Sequence, residues 1–135
     1  MSDWPPEYDD RYLPPPGARY WFRERECQDP EARERDVLRK IQAAMAWAWE
    51  RAPFYRKKWQ AAGLEPGDVK RLDDFSKVPV VTKHELREDQ AARPPLGSYL
   101  CIPREEVRRI HGTSGTTGKP TAFAIGRDDW RRIAN

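Results

Sequence analysis

The first regular hydrophobic pattern along the chain begins at Asp29 and has the spacing of an α-helix. Asp29 is a favourable N-cap residue, and Pro30 suits the first position of a helix. Apolar residues then recur every three or four positions, at Val37, Leu38, Ile41, Ala44, Met45, Ala48 and Ala52. This spacing places them on one helical face, flanked by Trp47 and Trp49. We therefore predict a helix that packs against a core through this face.

Helical spacing resumes after Pro53, which ends or kinks the first helix. A second helix is predicted over residues 54–62, with Gly63 in the C′ position that favours glycine. Tyr55 and Trp59 share one face of this helix, and the sequence after Gly63 places Leu64 to pack back on it. A short helical turn is expected near residues 68–72.

A third helix is predicted to open at Lys83. Thr82 and Glu85 have the spacing of a capping box, in which each side chain bonds the other's backbone N–H. His84 then lies in the first turn, where a surface position is expected. Pro94-Pro95 breaks the chain after this helix.

The pattern changes to short β-type runs near Tyr99. Runs at 99–102, 107–111 and 121–125 are predicted as strands, and a helix begins near Arg127-Asp128. The predicted fold class is therefore α/β, with an N-terminal helical segment followed by a β-hairpin around a Gly-rich loop.

Composition limits how much core the chain can build alone. It has 135 residues, 35% of them charged, and a mean hydropathy of −0.98. Six Trp partly compensate, because each buries a large apolar area. We expect one modest core that is completed against other protein.

The charge pattern and the cysteine content limit which ligands and which cellular compartment the sequence supports. The net charge is +3, and basic and acidic residues alternate as in Arg23-Glu24-Arg25-Glu26, so no basic stripe for nucleic acid is visible. No apolar run has membrane length. Cys27 and Cys101 lack metal-ligand spacing, so no metal site is expected and a reducing cytoplasm is the predicted compartment. Residues 1–19 carry five prolines and are predicted to form an extended arm.

Residues 111–121 carry the candidate chemistry and read His-Gly-Thr-Ser-Gly-Thr-Thr-Gly-Lys-Pro-Thr. The glycines let backbone N–H groups approach a ligand closely, the hydroxyls add donors, and Lys119 adds a positive charge. The predicted phosphate-binding residues are Thr113, Ser114, Gly115, Thr116, Thr117, Gly118 and Lys119. A hairpin turn without a ligand is the alternative, but it needs only about two to five residues.

A Walker A loop is a second alternative, and it fits poorly. Gly118-Lys119 would end that motif, but its first glycine would be Thr113 and its magnesium-binding hydroxyl would be Pro120. Proline offers no hydroxyl to a metal ion.

The run Ser-Gly-Thr-Thr-Gly-Lys-Pro-Thr closely resembles the phosphate loop of the adenylate-forming superfamily. Lys119 precedes Pro120, and Arg109-Ile110-His111 precedes the loop, as in the phenylacetate–CoA ligase family. Four upstream segments also resemble that family: Arg51–Arg56, Leu72–Pro79, Thr82–Arg87 and Pro103–Val107. The resemblance covers residues 20–135, as an incomplete N-terminal portion of the AMP-binding ligase domain, with a small insertion at 91–95.

The resemblance implies an enzyme that uses MgATP to adenylate a carboxylic acid, an aromatic one by the family's default, and then transfers the acyl group to coenzyme A. Lys119 would be the catalytic residue among the loop residues that hold the β- and γ-phosphates. His111 would lie near the acyl or adenylate site, or serve packing.

The family's adenosine-binding motifs, magnesium-binding acid and C-terminal catalytic lysine would lie downstream of residue 135. The resemblance therefore implies a chain that is inactive by itself. Three interpretations stay open: part of a longer ligase, the small subunit of a split ligase, or a non-catalytic protein-binding module that retains the loop.

Overall fold

The structure is a computed structural model and describes residues 14–113 and 120–134. The predicted arm falls largely outside this range, and so do the loop residues Ser114–Lys119. The described elements are α1 (Arg23–Glu26), α2 (Pro30–Arg51), α3 (Pro53–Ala61), α4 (Lys83–Ala92), β1 (Val107–Gly112), β2 (Ala122–Gly126) and α5 (Arg127–Ala134). The predicted order of a helical segment followed by a hairpin is confirmed, while the short α1 was not predicted.

Helices α2 and α3 form the core of the helical part. The Asp29 carboxylate accepts a hydrogen bond from the Ala32 N–H at 3.0 Å, which confirms the predicted N-cap. The buried core residues are Met45, Trp59, Leu64 and Val69. The indole of Trp59 stacks on that of Trp49, with ring centroids 6.3 Å apart.

The predicted apolar face of α2 is only partly buried. Leu38, Ile41 and Ala48 pack on the core, but Val37 and Ala44 are exposed. The face is wider than the surface that covers it, because α3 and the 3₁₀ turns Pro66–Asp68 and Leu72–Lys77 contact α2 from one side. These two turns replace the single turn predicted at 68–72.

The end of α3 follows its prediction. Gly63 has a φ of +66°, the left-handed conformation expected of a C′ glycine. The Leu64 N–H donates to the Trp59 carbonyl at 2.9 Å, and the Leu64 side chain is buried. Tyr55 and Trp59 contact each other with ring centroids 5.7 Å apart, on the shared face that was predicted.

Helix α4 begins with the predicted capping box. The Glu85 N–H donates to Thr82 Oγ1 at 3.3 Å, and the Thr82 N–H donates to Glu85 Oε2 at 2.7 Å. The other Glu85 oxygen pairs with the Lys58 ammonium of α3, so the capping residue also ties α4 to the helical core. His84 is exposed, as expected.

Strands β1 and β2 pair antiparallel, which confirms the hairpin. The register is Arg109↔Ile125, Ile110↔Ala124, His111↔Phe123 and Gly112↔Ala122, with an irregularity between Val107 and Arg109. The predicted strand at 99–102 is wrong, because this stretch pairs with no strand among residues 14–113 and 120–134, and the Tyr99 side chain rather than its backbone bonds β2.

Candidate functional site

The two residues that flank the Gly-rich loop bond to each other and close its base. The Thr113 N–H donates to the Thr121 carbonyl at 3.0 Å. The Thr121 N–H donates to Thr113 Oγ1 at 3.1 Å, so a side chain replaces the second backbone bond of this pair. Thr121 is fully buried. The loop therefore leaves the hairpin from fixed ends.

A second set of bonds holds the hairpin at Ala122. The Gln90 amide, from α4, donates through Nε2 to the Ala122 carbonyl at 2.6 Å and accepts the Ala122 N–H at Oε1, at 3.3 Å. The Tyr99 hydroxyl donates to the same carbonyl and accepts from Gln90 Nε2 at 3.3 Å. Burial raises the pKa of the Tyr99 hydroxyl, which keeps the proton that this bond requires.

The turn between α4 and Tyr99 brings the two side chains together. Asp89 accepts hydrogen bonds from Ser98, at 2.5 Å from the backbone N–H and 2.6 Å from the hydroxyl. Gly97 lies between these elements with a φ of +76°. The Ser98 carbonyl accepts the Phe54 N–H at 3.3 Å, so the turn is joined to α3 as well.

One face of the hairpin carries basic and aromatic groups. The Arg109 guanidinium lies over the Trp130 ring of α5, 3.7 Å from its centroid. The His111 ring meets the same indole edge-on at 6.2 Å between centroids. His111 is exposed, so its imidazole is accessible immediately before the loop.

Two buried groups near this region lack a partner within the described residues. They are the Thr121 hydroxyl and the Nε and Nη2 atoms of Arg87. Arg87 lies three residues before Gln90 on α4, so both side chains leave the same side of the helix. Buried polar groups are nearly always paired, so partners beyond the described residues are expected here.

The predicted site residues are only partly covered by the described structure. Ser114, Gly115, Thr116, Thr117, Gly118 and the predicted catalytic Lys119 lie outside the described residues. Thr113 is described, and its hydroxyl oxygen accepts one hydrogen bond, from the Thr121 N–H. Within residues 14–113 and 120–134, no three His, Cys, Asp or Glu side chains gather as metal ligands.

Sequence reasoning missed Gln90, Tyr99 and Thr121. Gln90 lies in a mostly polar helix, where a glutamine is ordinarily expected at the surface. Its partner Ala122 is 32 residues away, so the sequence around Gln90 does not indicate this contact.

None of the described helices combines the length and apolar character needed to cross a membrane.

Comparison with known proteins identifies curated relatives that match 65–82% of this chain. No protein-family model matches the chain. It is 42% identical over 88 residues to the phenylacetate-coenzyme A ligase of Escherichia coli (strain K12), which covers 65% of this chain and 19% of that ligase. It is 37% identical over 109 residues to the Thermus thermophilus enzyme of the same name, covering 77% of this chain and 23% of the relative.

The fold is also that of part of a solved CoA ligase. A crystal structure of 2-hydroxyisobutyryl-CoA ligase in the postadenylation state, in complex with 2-HIB-AMP, matches with a TM-score of 0.85 and 53% identity. The match covers 96% of this chain and 27% of that ligase. A second crystal structure of that ligase, with 2-HIB-AMP and CoA, is 55% identical with the same TM-score and coverage. The predicted relationship to the N-terminal part of phenylacetate–CoA ligases is thus confirmed, over less than a quarter of the curated relatives' length.

Proposed function

We propose that this chain, a segment of a CoA ligase related to the phenylacetate–CoA ligases, supplies the loop that holds the β- and γ-phosphates of ATP during adenylation of a carboxylic acid. In this reaction a carboxylate oxygen attacks the α-phosphorus, giving acyl-AMP and releasing pyrophosphate. The thiol of coenzyme A then attacks the acyl carbon, giving a thioester and releasing AMP. ATP and coenzyme A are therefore co-substrates.

One observation carries the proposal. A run of glycines, hydroxyls and one lysine joins two paired strands whose ends are fixed by Thr113, Thr121 and Gln90. The surrounding segment matches a ligase that was crystallised with an acyl-adenylate, over 96% of the chain. Fixed ends reduce the entropy that a polar loop loses when it closes on a charged ligand.

The loop residues would act by electrostatics and orientation. Backbone N–H groups around Gly115 and Gly118, with the hydroxyls of Ser114, Thr116 and Thr117, would bond the phosphate oxygens. Lys119 would offset the charge that develops on the leaving pyrophosphate, which makes it the catalytic residue of this segment. Magnesium, which the relationship implies, would be held by phosphate oxygens and by groups beyond the described residues.

His111 is proposed to lie at the acyl or adenylate side of the site. It precedes the loop directly, and its exposed imidazole is oriented by the edge contact with Trp130. Its alternative role is packing between the hairpin and α5. A His111→Ala variant that changes the KM of the acid without changing stability would support the first role.

Two classes of acid are candidates. The relationship to phenylacetate-coenzyme A ligases indicates an aromatic acid, with identities of 33–42%. The 53% and 55% identity to 2-hydroxyisobutyryl-CoA ligase favours a short branched 2-hydroxy acid as the second candidate. Initial rates with phenylacetate and with 2-hydroxyisobutyrate, at equal concentrations, separate them.

The partner in this proposal is the remainder of the ligase, on the same polypeptide or as a separate subunit. In the alternative interpretation, the chain is a non-catalytic protein-binding module that retains the loop but does not take part in adenylation. We also propose a reducing cytoplasm as the compartment, which suits a chain whose Cys27 and Cys101 are both free thiols.

The test replaces Lys119 by Ala in the complete ligase and measures acid-dependent ATP–pyrophosphate exchange. Because Lys119 meets more charge in the transition state than in the ground state, kcat should fall on the order of 10²–10³-fold. The KM of the acid should change little. Thr116→Val and Thr117→Val should each cost less, since neutral hydrogen bonds are weaker than charge-assisted ones.

A structural hairpin without a ligand predicts the opposite ranking. Gly115 or Gly118 substitutions would then lower the melting temperature, while Lys119→Ala would be silent. Unchanged kcat and KM for ATP in the Lys119→Ala enzyme would end the phosphate-loop proposal.

A further inference from the structure

Within the described residues, no third strand pairs with the outer edge of β2 at Ala122, close to the point where the Gly-rich loop rejoins the sheet. In an antiparallel ladder, residues alternate between pairs that exchange backbone hydrogen bonds and pairs whose N–H and C=O groups point away from each other. The bond between the Thr113 N–H and the Thr121 carbonyl makes that pair the bonded kind. The next pair, Gly112↔Ala122, is therefore the other kind, and the polar groups of Ala122 face outward.

Gln90 occupies this edge in the way a neighbouring strand would. A primary amide offers one carbonyl and N–H donors, the same groups as a peptide unit. Gln90 uses both against Ala122, donating at 2.6 Å and accepting at 3.3 Å. Gln90 is 9% exposed, so water does not compete freely for these bonds. Tyr99 adds a second donor to the same carbonyl.

Gln90 is itself attached to the helical core. The Glu85–Lys58 ion pair joins α4 to α3, and Asp89 holds the turn through both polar groups of Ser98. A two-stranded hairpin alone is marginally stable in water, so this hairpin depends on contacts with the rest of the fold. The amide of Gln90 is one link, together with the Tyr99 hydroxyl, through which α4 and its turn hold the strand that follows the loop.

We propose that Gln90, assisted by Tyr99, is a positioning residue for the phosphate-binding loop. Ala122 follows Lys119 by three residues, through Pro120, whose ring restricts φ, and the fully buried Thr121. The bonds at Ala122 therefore fix the strand close to the point where the loop rejoins the sheet. This inference rests on the proposed function of the loop, since it assigns Gln90 the task of aiming Lys119.

The first experiment compares Gln90→Met with Gln42→Met in the complete ligase. Gln42 is the matched control, because its Nε2 also donates to a backbone carbonyl, that of Val69 at 2.8 Å, but within the helical part. Gln90→Met should raise the KM for ATP and lower kcat for pyrophosphate exchange, together by on the order of 10–10²-fold, because misplacement by about 1 Å has effects of this size. Gln42→Met should leave both constants within about twofold of the parent.

A second variant, Gln90→Glu, separates positioning from packing. A protonated carboxylic acid has one O–H donor and one carbonyl acceptor, so it can replace the amide, whereas a carboxylate opposes the Ala122 carbonyl. Glutamic acid has an ordinary pKa of about 4.3, and burial raises it. The activity of Gln90→Glu relative to the parent should therefore rise as the pH falls from about 8 to about 5.5. The same ratio for Gln90→Met should stay flat.

A third readout needs no activity. Amide hydrogen exchange of the segment 111–126 should be faster in Gln90→Met than in the parent and in Gln42→Met, at temperatures where all three remain folded. Equal exchange in the three proteins overturns the inference. The inference is also overturned if Gln90→Met has the same KM for ATP and the same kcat as the parent, while Lys119→Ala inactivates the same ligase. If the parent ligase shows no ATP–pyrophosphate exchange with any acid, the proposed function fails. In that case amide hydrogen exchange alone decides whether Gln90 positions the loop.

Discussion

Gly97 shows how one residue controls the geometry of the turn that delivers Tyr99 to Gln90. Its φ of +76° lies in the left-handed region, which side chains disfavour. A Cβ placed on Gly97 would meet the Asp89 carboxylate and would lie 3.3 Å from Gln90 Cγ. The same carboxylate accepts both Ser98 hydrogen bonds, so it cannot move away without breaking them.

We therefore predict a graded series of glycine-to-alanine substitutions. Gly67→Ala should change the free energy of unfolding least, because this glycine has neither positive φ nor a neighbour within 4 Å. Gly63→Ala, with positive φ but open space, should destabilise by about 1–2 kcal/mol. Gly97→Ala should destabilise more than Gly63→Ala. Urea unfolding of the three variants gives the order, and a Gly97→Ala protein as stable as Gly67→Ala would contradict this account.

At the scale of elements, α4 connects the helical core to the hairpin. Its first turn is held by the Thr82–Glu85 capping box and the Lys58 ion pair, and its last turn carries Gln90. The hydrogen bond from Lys58, followed by those from the Thr82 backbone and hydroxyl, lowers the pKa of Glu85 from 4.5 to about 2. The ionised carboxylate is therefore the form that the folded state prefers.

This preference predicts an acid-dependent loss of stability. A carboxyl whose pKa is lowered on folding stabilises the protein fully above its unfolded-state pKa, and the contribution disappears as the pH falls towards the folded-state value. The contribution of Glu85 should thus be present above pH 4.5 and be lost between 4.5 and about 2. Glu85→Gln should lower the melting temperature at neutral pH, and its difference from the parent should vanish at low pH.

The control is Glu31→Gln on α2. Glu31 pairs with Arg35 at 3.7 Å, but its side chain is 86% exposed, and such surface pairs contribute little. Its melting temperature should follow that of the parent at every pH. If Glu85→Gln melts in parallel with Glu31→Gln from neutral to acidic pH, the link between α4 and α3 has been overestimated.

At the scale of the whole molecule, the described residues leave large apolar side chains exposed and buried polar atoms without hydrogen-bond partners. Large apolar side chains are exposed on the hairpin and on α5, with Ile110 at 59% and Ile133 at 62%. The buried guanidinium atoms of Arg87 lack partners within residues 14–113 and 120–134. The match covers 27% of the solved ligase, and both observations are expected if this segment packs against the remainder of a ligase, as proposed.

We predict that the 135-residue polypeptide, purified alone, shows no acid-dependent ATP–pyrophosphate exchange. Adenylation needs contacts to adenosine and to the acid as well as a phosphate loop, and the chain spans only 19–24% of the curated ligases' length. The complete ligase, assayed in parallel with phenylacetate and 2-hydroxyisobutyrate, is the positive control. Exchange by the polypeptide alone would mean that it holds the whole adenylation site.

Most helices and the hairpin could be predicted because their causes are local. Asp29 caps α2, Thr82 and Glu85 cap α4, and Gly63 ends α3, each through contacts within a few residues. The wrong strand prediction at 99–102 arose because strand formation depends on residues that are distant in the chain. Its residues have β-type composition, but a strand exists only where a ladder partner is available, and here the neighbouring edge is occupied by side chains.

The sequence by itself determined the family relationship and the order of helices and hairpin, because motifs, caps and periodicity depend on residues close together in the chain. The phosphate-binding role of the Gly-rich loop stays a prediction from the same local pattern. Only the tertiary structure decided what holds the loop's base. Gln90 reaches Ala122 across 32 residues, and Thr121 next to it is fully buried. Such contacts depend on how elements pack, which local propensity and periodicity do not encode.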